Sequence, residues 1–548
     1  MTALRGGILR ACLLWLVIVI VGLSLRPLMT VDETRYLSVT WEMWARGDFL
    51  VPYRNGEPYH HKPPLLFWLI QLGWAVGGVS EIWGRLVAPL FALGCLPAAA
   101  ILARRLFPDR ATTAELAPLA VTAGGLFLLN ASLTMFDAMV TFWSLVGWIG
   151  LVTAWREAAP RGWIIVAIAI GFGVLSKGPV ILLHLAPAAL LAPLWVGREG
   201  RPAWRRWYAG FALSVLAGAA IALAWAIPAA ISGGEDFARK IFLGQHTGRM
   251  VESFAHRRPL WWYLPVVVVG LMPLLAWLAP WRLLRATPVL WREPGMLFVL
   301  VATIPVIAAF SAISGKQPHY ILPELALLAI LIARLVDQPA FSDRNVDRIV
   351  PSLISIVTGA VVILFPWFGF ARLAEGRADV VLHTGQIVAM VAVGAALVGY
   401  GVWLLRDRAR DALARLSTVA ICSAATLIGI HVIFASFALA YDTSRVARLL
   451  AEIERGGRLI AWNGDYEGDF HFTGRLLRQI VDLNGADPIQ WSREHPTGVV
   501  LVTYRRRNAL PSAWPVPLQL TAYRGRILAV WPAEMLATRG AELLTDPG

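Results

Sequence analysis

A chain of 548 residues with 49 Lys+Arg against 35 Asp+Glu carries a net charge of +14, and 57% of it is hydrophobic while only 15% is charged. Soluble domains average about 25% charged residues and disordered chains are poor in apolar side chains, so neither an ordinary soluble enzyme nor a disordered protein fits. Apolar runs of membrane-crossing length recur along the chain, which makes it a polytopic membrane protein.

Arg5 and Arg10 flank the start of the first apolar stretch, residues 8–28. It is too long for a signal h-region and lacks a small-residue cleavage site, so it reads as the first span. Compared with the ~20 residues needed to cross the hydrocarbon core, further segments fall near 83–103, 114–130, 133–154, 162–176, 178–197, 207–232, 259–280, 295–313, 319–336, 349–370, 381–405 and 416–440, thirteen in all. Lys177-Gly178-Pro179 separates two of them and predicts a tight hairpin rather than one long helix. The cysteines, Cys12, Cys95 and Cys422, all fall inside apolar runs and read as packing residues.

Assigning loops alternately from a cytoplasmic N-terminus places Arg104, Arg105, Arg156, Arg161, Arg205, Arg206, Arg406 and Arg415 on the inner side, as the positive-inside rule requires. An odd span count then puts the tail on the outer side. The expected fold class is an all-α polytopic membrane domain of about 13 transmembrane helices over 1–440, with outer-face juxtamembrane helices, and a small α/β domain over 441–548. Positive charge is otherwise supplied by four lysines, Lys62, Lys177, Lys240 and Lys316, all in outer loops. Either this is chance in a small sample, or compact ammonium groups are placed there to bind phosphate.

The first outer loop opens Met29-Thr30-Val31-Asp32-Glu33-Thr34-Arg35-Tyr36. Thr30 or Asp32 can cap a short helix on which Tyr36, Val39, Thr40, Met43 and Trp44 share one face, a pattern that lies in the membrane interface. A second interfacial segment, 63–79, follows Tyr59-His60-His61-Lys62. Taken alone, Asp32-Glu33 reads as a cap and Asp137 as either a capping carboxylate or a functional one. His60 and His61 are adjacent, which is poor metal-ligand spacing on a helix. The loop 233–258 gathers Lys240, His246, Arg249, His256, Arg257 and Arg258. Inside the spans, His184, Glu324 and His431 read as interhelical hydrogen-bonding groups.

These residues converge on the outer helix ends, and their motifs look familiar. Asp32-Glu33 with Arg35-Tyr36, Tyr59-x-x-Lys62-Pro63-Pro64, Phe136-Asp137-Ala138, Ser176-Lys177-Gly178-Pro179 and Lys316-x-x-x-Tyr320-x-Leu322-Pro323 resemble the GT-C polyprenyl-phosphate-sugar glycosyltransferases. The closer resemblance is to the bacterial aminoarabinose transferase branch, related to protein O-mannosyltransferases, and it runs over essentially the whole chain. It implies an inner-membrane enzyme whose active site and tail domain face the periplasm. Its donor would be a sugar on undecaprenyl phosphate and its acceptor lipid A or another envelope glycan, among membrane lipids, with no nucleic acid partner and a monomeric state. By motif matching, Asp32 is the general base and Asp137 a further catalytic carboxylate of the cavity that would orient the acceptor or assist as base. Arg35, Tyr36, Lys62, Lys177, Arg249 and Tyr320 would hold the donor phosphate or sugar. No cofactor is required, but His246 with His61 would bind a divalent metal such as zinc. Here the sequence departs from the family, which commonly has Glu-Lys-Pro-Pro where His61 precedes Lys62.

The chemistry agrees with the residue types, since transfer from a lipid phosphate needs a base for the acceptor proton and positive charge for the departing phosphate. No G-x-G-x-x-G or P-loop motif offers a nucleotide site, which favours a lipid donor. A lipid-linked sugar transporter is the competing class, and transfer of another sugar to another glycan or protein the closer alternative. In the tail, alternating runs at 458–462, 499–504 and 526–531 predict strands and 475–481 a helix, while 466–471, polar and aromatic enough to contact sugars, reads rather as a solvated loop.

Overall fold

The computed structural model describes every residue except 1–2, 198–199, 245–256, 340, 371–381, 410, 506–509 and 546–548. Its chain begins with α1 (Ala3–Leu25), the amphipathic α2 (Asp32–Arg46), a two-residue hairpin of β1 (Tyr53–Arg54) and β2 (Glu57–Pro58), α3 (Leu65–Gly77) and α4 (Glu81–Leu106). There follow α5 (Ala111–Ala123), α6 (Gly125–Asn130), α7 (Phe136–Glu157), α8 (Pro160–Lys177), α9 (Val180–Leu190), α10 (Ala192–Trp195) and α11 (Trp204–Gly233). After α12 (Glu235–Arg239) come α13 (Tyr263–Gly270), α14 (Leu278–Ala286), α15 (Pro294–Ala312), α16 (Leu322–Val336), α17 (Asn345–Leu364), α18 (Thr384–Arg406) and α19 (Ala412–Ala435).

Among the described residues ten helices are long and apolar enough to cross a membrane. The other three of the thirteen apolar segments are broken, and the breaks have local causes. Segment 114–130 divides at Gly124, whose extended ψ of 111° ends α5. Segment 178–197 divides between α9 and α10 just before Pro193, which has no N–H to return to the Ala189 carbonyl. The Trp207 indole donates to that oxygen instead, at 2.9 Å. Segment 259–280 contains α13 and the start of α14, separated by a turn through Pro273. Hydropathy counts apolar residues and does not register these interruptions.

Small residues let the spans approach closely. A Cβ built on Gly162 of α8 would lie 2.4 Å from the Ala154 nitrogen of α7, so only glycine permits that crossing. The α7–α8 pair fixes the two ends of the bundle: α7 runs from Asp137 in its first turn to Arg156 in its last, and α8 returns from Pro160 to Lys177. Asp137 and Lys177 are thereby brought to one end and the arginines to the other.

Beyond the last span, α20 (Ser444–Arg455) leads into a five-stranded sheet of β3 (Ile460–Trp462), β4 (Val481–Asp482), β5 (Val499–Tyr504), β6 (Gln519–Tyr523) and β7 (Arg526–Pro532), in the order β4-β3-β5-β7-β6. β3 pairs in parallel with β4 and β5, and β7 is antiparallel to β5 and β6. One face packs Val446, Leu450 and Ile453 of α20 against Ile460, Val499 and Leu501. The other packs Ala461, Val500 and Trp531 against Leu536 and Leu543 of the C-terminal helix Ala533–Leu543.

Two tail expectations are corrected. Residues 475–481 form no helix, because their amides bond outward: Leu477 and Arg478 donate to the Glu454 carboxylate, and Ile480 donates to Asn55 Oδ1 at 2.9 Å. The 466–471 segment is no solvated loop either, since Tyr466, Asp469, Phe470 and His471 are buried. Among the core histidines, His184 bonds across helices to Glu324, whereas His431 turns back to the Leu427 carbonyl of its own helix.

Candidate active site

α2 begins with two carboxylates one residue apart, and the ~100° turn between consecutive helical positions gives them separate environments. Glu33 is buried and built into the frame: Oε2 accepts from Arg26 Nη1 at 2.6 Å and the Met29 amide at 3.0 Å, while Oε1 accepts from the Thr134 amide at 2.8 Å. Burial by itself would raise its pKa, but the guanidinium groups of Arg26 and Arg85 and the two amides outweigh it and hold the carboxyl below the usual range. Asp32 instead keeps about half its side chain exposed, toward a cavity. Arg35 Nη2 at 2.6 Å and Tyr36 Oη at 3.1 Å both donate to its Oδ1, so Oδ2 is left for chemistry.

Asp137 opposes it from the first turn of α7, buried to 4% exposure. Its Oδ1 accepts from Lys177 Nζ at 2.6 Å, and His319 Nε2 stands 3.8 Å from Oδ2. Lys177 is placed by the end of α8, where Gly178 adopts φ +82° and stops the helix. The ammonium also sits 4.6 Å from the centre of the Tyr320 ring. Lys62 approaches from the segment before α3, with its ammonium 5.6 Å from the Phe136 ring, and Tyr36 packs edge-on against the same ring at 4.8 Å.

Eight of the ten residues expected from the sequence, Asp32, Arg35, Tyr36, His61, Lys62, Asp137, Lys177 and Tyr320, line one cavity of about 870 Å³. Arg249 and His246 lie outside the described residues. Lys316 does not join the cavity: it is buried, and its ammonium is spent on the Arg258 carbonyl at 2.9 Å. Among the described residues no group of three or more His, Cys, Asp and Glu is arranged to hold a metal ion. A separate cavity of about 580 Å³ between α6, α13 and α19 is lined by apolar side chains and a few hydroxyls, with no group able to move a proton.

Several cavity residues escaped sequence reasoning: Arg54, Tyr59, Gln317, His319, Asp465 and Glu467. Tyr59 and His319 sit within quoted motifs and had a signal in their neighbours. Glu467 lies in a polar, aromatic tail segment that reads as a solvated loop, and nothing in the linear order places it beside Arg35. Its Oε2 accepts from Arg35 Nη1 at 2.8 Å and Arg54 Nη1 at 2.6 Å. The segment carrying it is clamped to α2 by Ser38, which donates to the Gly468 carbonyl, and by Thr34, which donates to Asp469 Oδ1 at 3.0 Å. Trp74 of α3 stacks on Phe472 with ring centres 5.5 Å apart. Burial, helped by the neighbouring Asp32 and Glu467 charges, pushes the Tyr59 hydroxyl up to about 12 against the opposing pull of Arg35 and Arg54, so Tyr59 enters the cavity as a hydrogen-bond donor.

The sequence profile of the dolichyl-phosphate-mannose-protein mannosyltransferase family matches residues 61–231, a stretch that holds Lys62, Asp137 and Lys177. An undecaprenyl phosphate-α-4-amino-4-deoxy-L-arabinose arabinosyl transferase of Edwardsiella ictaluri is 30% identical over 416 residues, covering 73% of this chain and 71% of the relative. The protein of the same description from Pseudomonas aeruginosa is 35% identical over 327 residues, covering 58% of this chain and 57% of its own length. The chain thus spans little more than half of that relative. In fold, the crystal structure of ArnT from Cupriavidus metallidurans bound to undecaprenyl phosphate aligns with a TM-score of 0.73 and 18% identity, covering 96% of this chain and 98% of that one.

Proposed function

We propose a reaction from one premise: the chain belongs to the undecaprenyl phosphate-4-amino-4-deoxy-L-arabinose arabinosyl transferase family. It is an inverting glycosyltransferase of the bacterial inner membrane, working with its cavity and tail domain on the periplasmic face. It moves the amino sugar from undecaprenyl phosphate to an acceptor on that face, lipid A or lipopolysaccharide. The observation that carries this reading is the single cavity in which the exposed Asp32 carboxylate stands among Arg35, Lys62 and Lys177.

Asp32 Oδ2 takes the proton of the acceptor hydroxyl as its oxygen bonds to C1 of the sugar. The bond from C1 to the phosphate oxygen breaks with its electron pair, and undecaprenyl phosphate leaves as a dianion. Lys62, Lys177 and Arg35, with Arg249 from outside the described residues, supply the positive charge for that group, which is worth most in a partly desolvated site. One displacement inverts C1 and needs no second nucleophile. Asp137, already held by Lys177, fixes that ammonium rather than serving as the base. His61 with His246 would hold a divalent ion such as zinc, and no step is assigned to it. A site at the helix ends rather than at the bundle midplane also supports an enzyme over a transporter.

The test is mass spectrometry of lipid A from cells with the wild-type chain, with Asp32→Asn, and without the gene. A mass increment of one amino pentose in the first alone is the expected result. An unchanged profile in all three moves the acceptor elsewhere or favours the transporter.

A further inference from the structure

A smaller cavity of about 160 Å³ adjoins the main one, sharing His61, Lys62, Asp137, Lys177, Val180 and Tyr320 with it and lined also by His184 and Val140. It has less than a fifth of the main cavity's volume and suits a small polar group. Part of its lining is unusual for the interior of a helix bundle. His184 of α9 and Glu324 of α16 are 1% and 0% exposed, and His184 Nδ1 lies 2.7 Å from Glu324 Oε1.

Ionisable groups at this depth are costly and call for a reason. A pair kept only to join two helices would be expected to use both carboxylate oxygens, yet Glu324 Oε2 has no hydrogen-bond partner among the described residues. The function of Glu324 is legible in what it does to the imidazole. The contact fixes the ring's orientation, and in the tautomer whose Nδ1–H donates to the carboxylate Nε2 is the imidazole's acceptor; His184 itself lines the pocket. Lys62, Lys177 and Tyr320 also line the pocket and bring donors to it, beside His61 and the Asp137 carboxylate that Lys177 already binds.

We propose that this smaller pocket is the subsite for the sugar ring of the donor, that His184 is the residue that reads an O–H or N–H of that ring, and that Glu324 positions His184. The inference rests on the transferase reading for its ligand. It adds to that reading a division of labour: the phosphate is held in the main cavity and the monosaccharide in the smaller one.

The experiment compares, on the purified full chain in lipid nanodiscs, the affinity for undecaprenyl phosphate with that for undecaprenyl phosphate carrying 4-amino-4-deoxy-arabinose. His184→Leu is expected to weaken the sugar-bearing lipid about ten- to hundredfold, the usual effect of losing a buried polar contact, while the bare phosphate lipid keeps its affinity and reports an intact fold. Val140→Phe, which fills the pocket and leaves His184 and Glu324 in place, should do the same. Equal losses for both lipids, or no loss for either, would overturn the subsite. Turnover by the wild-type chain is read separately: its absence defeats the transferase reading, whereas the binding ratio still decides the pocket.

Discussion

Arg35 and Glu467 stand 432 residues apart in the chain and meet at 2.8 Å, and the same guanidinium reaches Asp32 at 2.6 Å. The tail thereby touches the half-exposed Asp32 carboxylate of the cavity through one side chain. Glu467 also fixes Arg54, so removing its charge releases two guanidinium groups at the cavity rim. Glu467→Gln should lower transfer about tenfold, chiefly through a raised KM for the lipid donor, and Glu467→Asp should recover part of it. Steady-state kinetics of the two variants check this, and an unchanged KM in Glu467→Gln would show that the tail contact is only architectural.

The two cavity carboxylates should fail in different ways. Asp32→Asn alters the proposed base at a half-exposed position and should reduce turnover by about 10²- to 10⁴-fold with little change in melting temperature. Asp137→Asn strips Lys177 of its partner in a buried setting, a loss of about 3 kcal/mol or more. Thermal unfolding beside turnover separates the two, and an unshifted melting point for Asp137→Asn would contradict the ion pair.

Lys62 and Lys177 carry the cavity's ammonium groups. A charge-assisted contact to phosphate contributes about 1.5 to 3 kcal/mol, so Lys62→Met should weaken undecaprenyl phosphate binding about ten- to hundredfold. Titration of the lipid into the variant measures it. Binding at wild-type strength would remove Lys62 from the phosphate site.

Glu33 links stability to pH. Its carboxyl is held below the ordinary value in the folded chain, despite burial, by Arg26 and Arg85. Its contribution is therefore complete above the unfolded value of about 4.3 and is lost as pH falls through the lower folded value. Glu33→Gln should be less stable than wild type at pH 7, and the gap should narrow as the pH drops below about 4. Melting curves across that range test the sign; a gap that widens on acidification would refute it.

Much of the architecture was readable because hydropathy and helical periodicity are local. The amphipathic spacing of Tyr36, Val39, Met43 and Trp44 announced α2, and Lys177-Gly178-Pro179 announced the end of α8. Strands at 499–504 and 526–531 followed from alternating β-branched and aromatic residues. The same locality explains the misses. A run such as 178–197 is equally apolar whether it is one helix or two, and hydropathy registers neither Pro193, before which it breaks, nor the Trp207 indole that bonds the freed Ala189 carbonyl. The Tyr466–His471 segment is polar in sequence and buried in fact, because α2 provides hydroxyl partners for its backbone and for Asp469.

The chain's composition decided its solvent, since too few charges and too many apolar side chains leave the bilayer as the place where its surface is stable. The order of its motifs decided which residue types would be available for phosphate and proton chemistry. What the linear order could not decide was which carboxylate faces the cavity, which lysine is spent on a backbone carbonyl, and which residue of the tail completes the rim. Those outcomes depend on pairs such as Asp137–Lys177, 40 residues apart, and Arg35–Glu467. A charge is stable in a poorly solvated site only when its partner is brought to it through space, and that placement is made by the packing of helices and sheet.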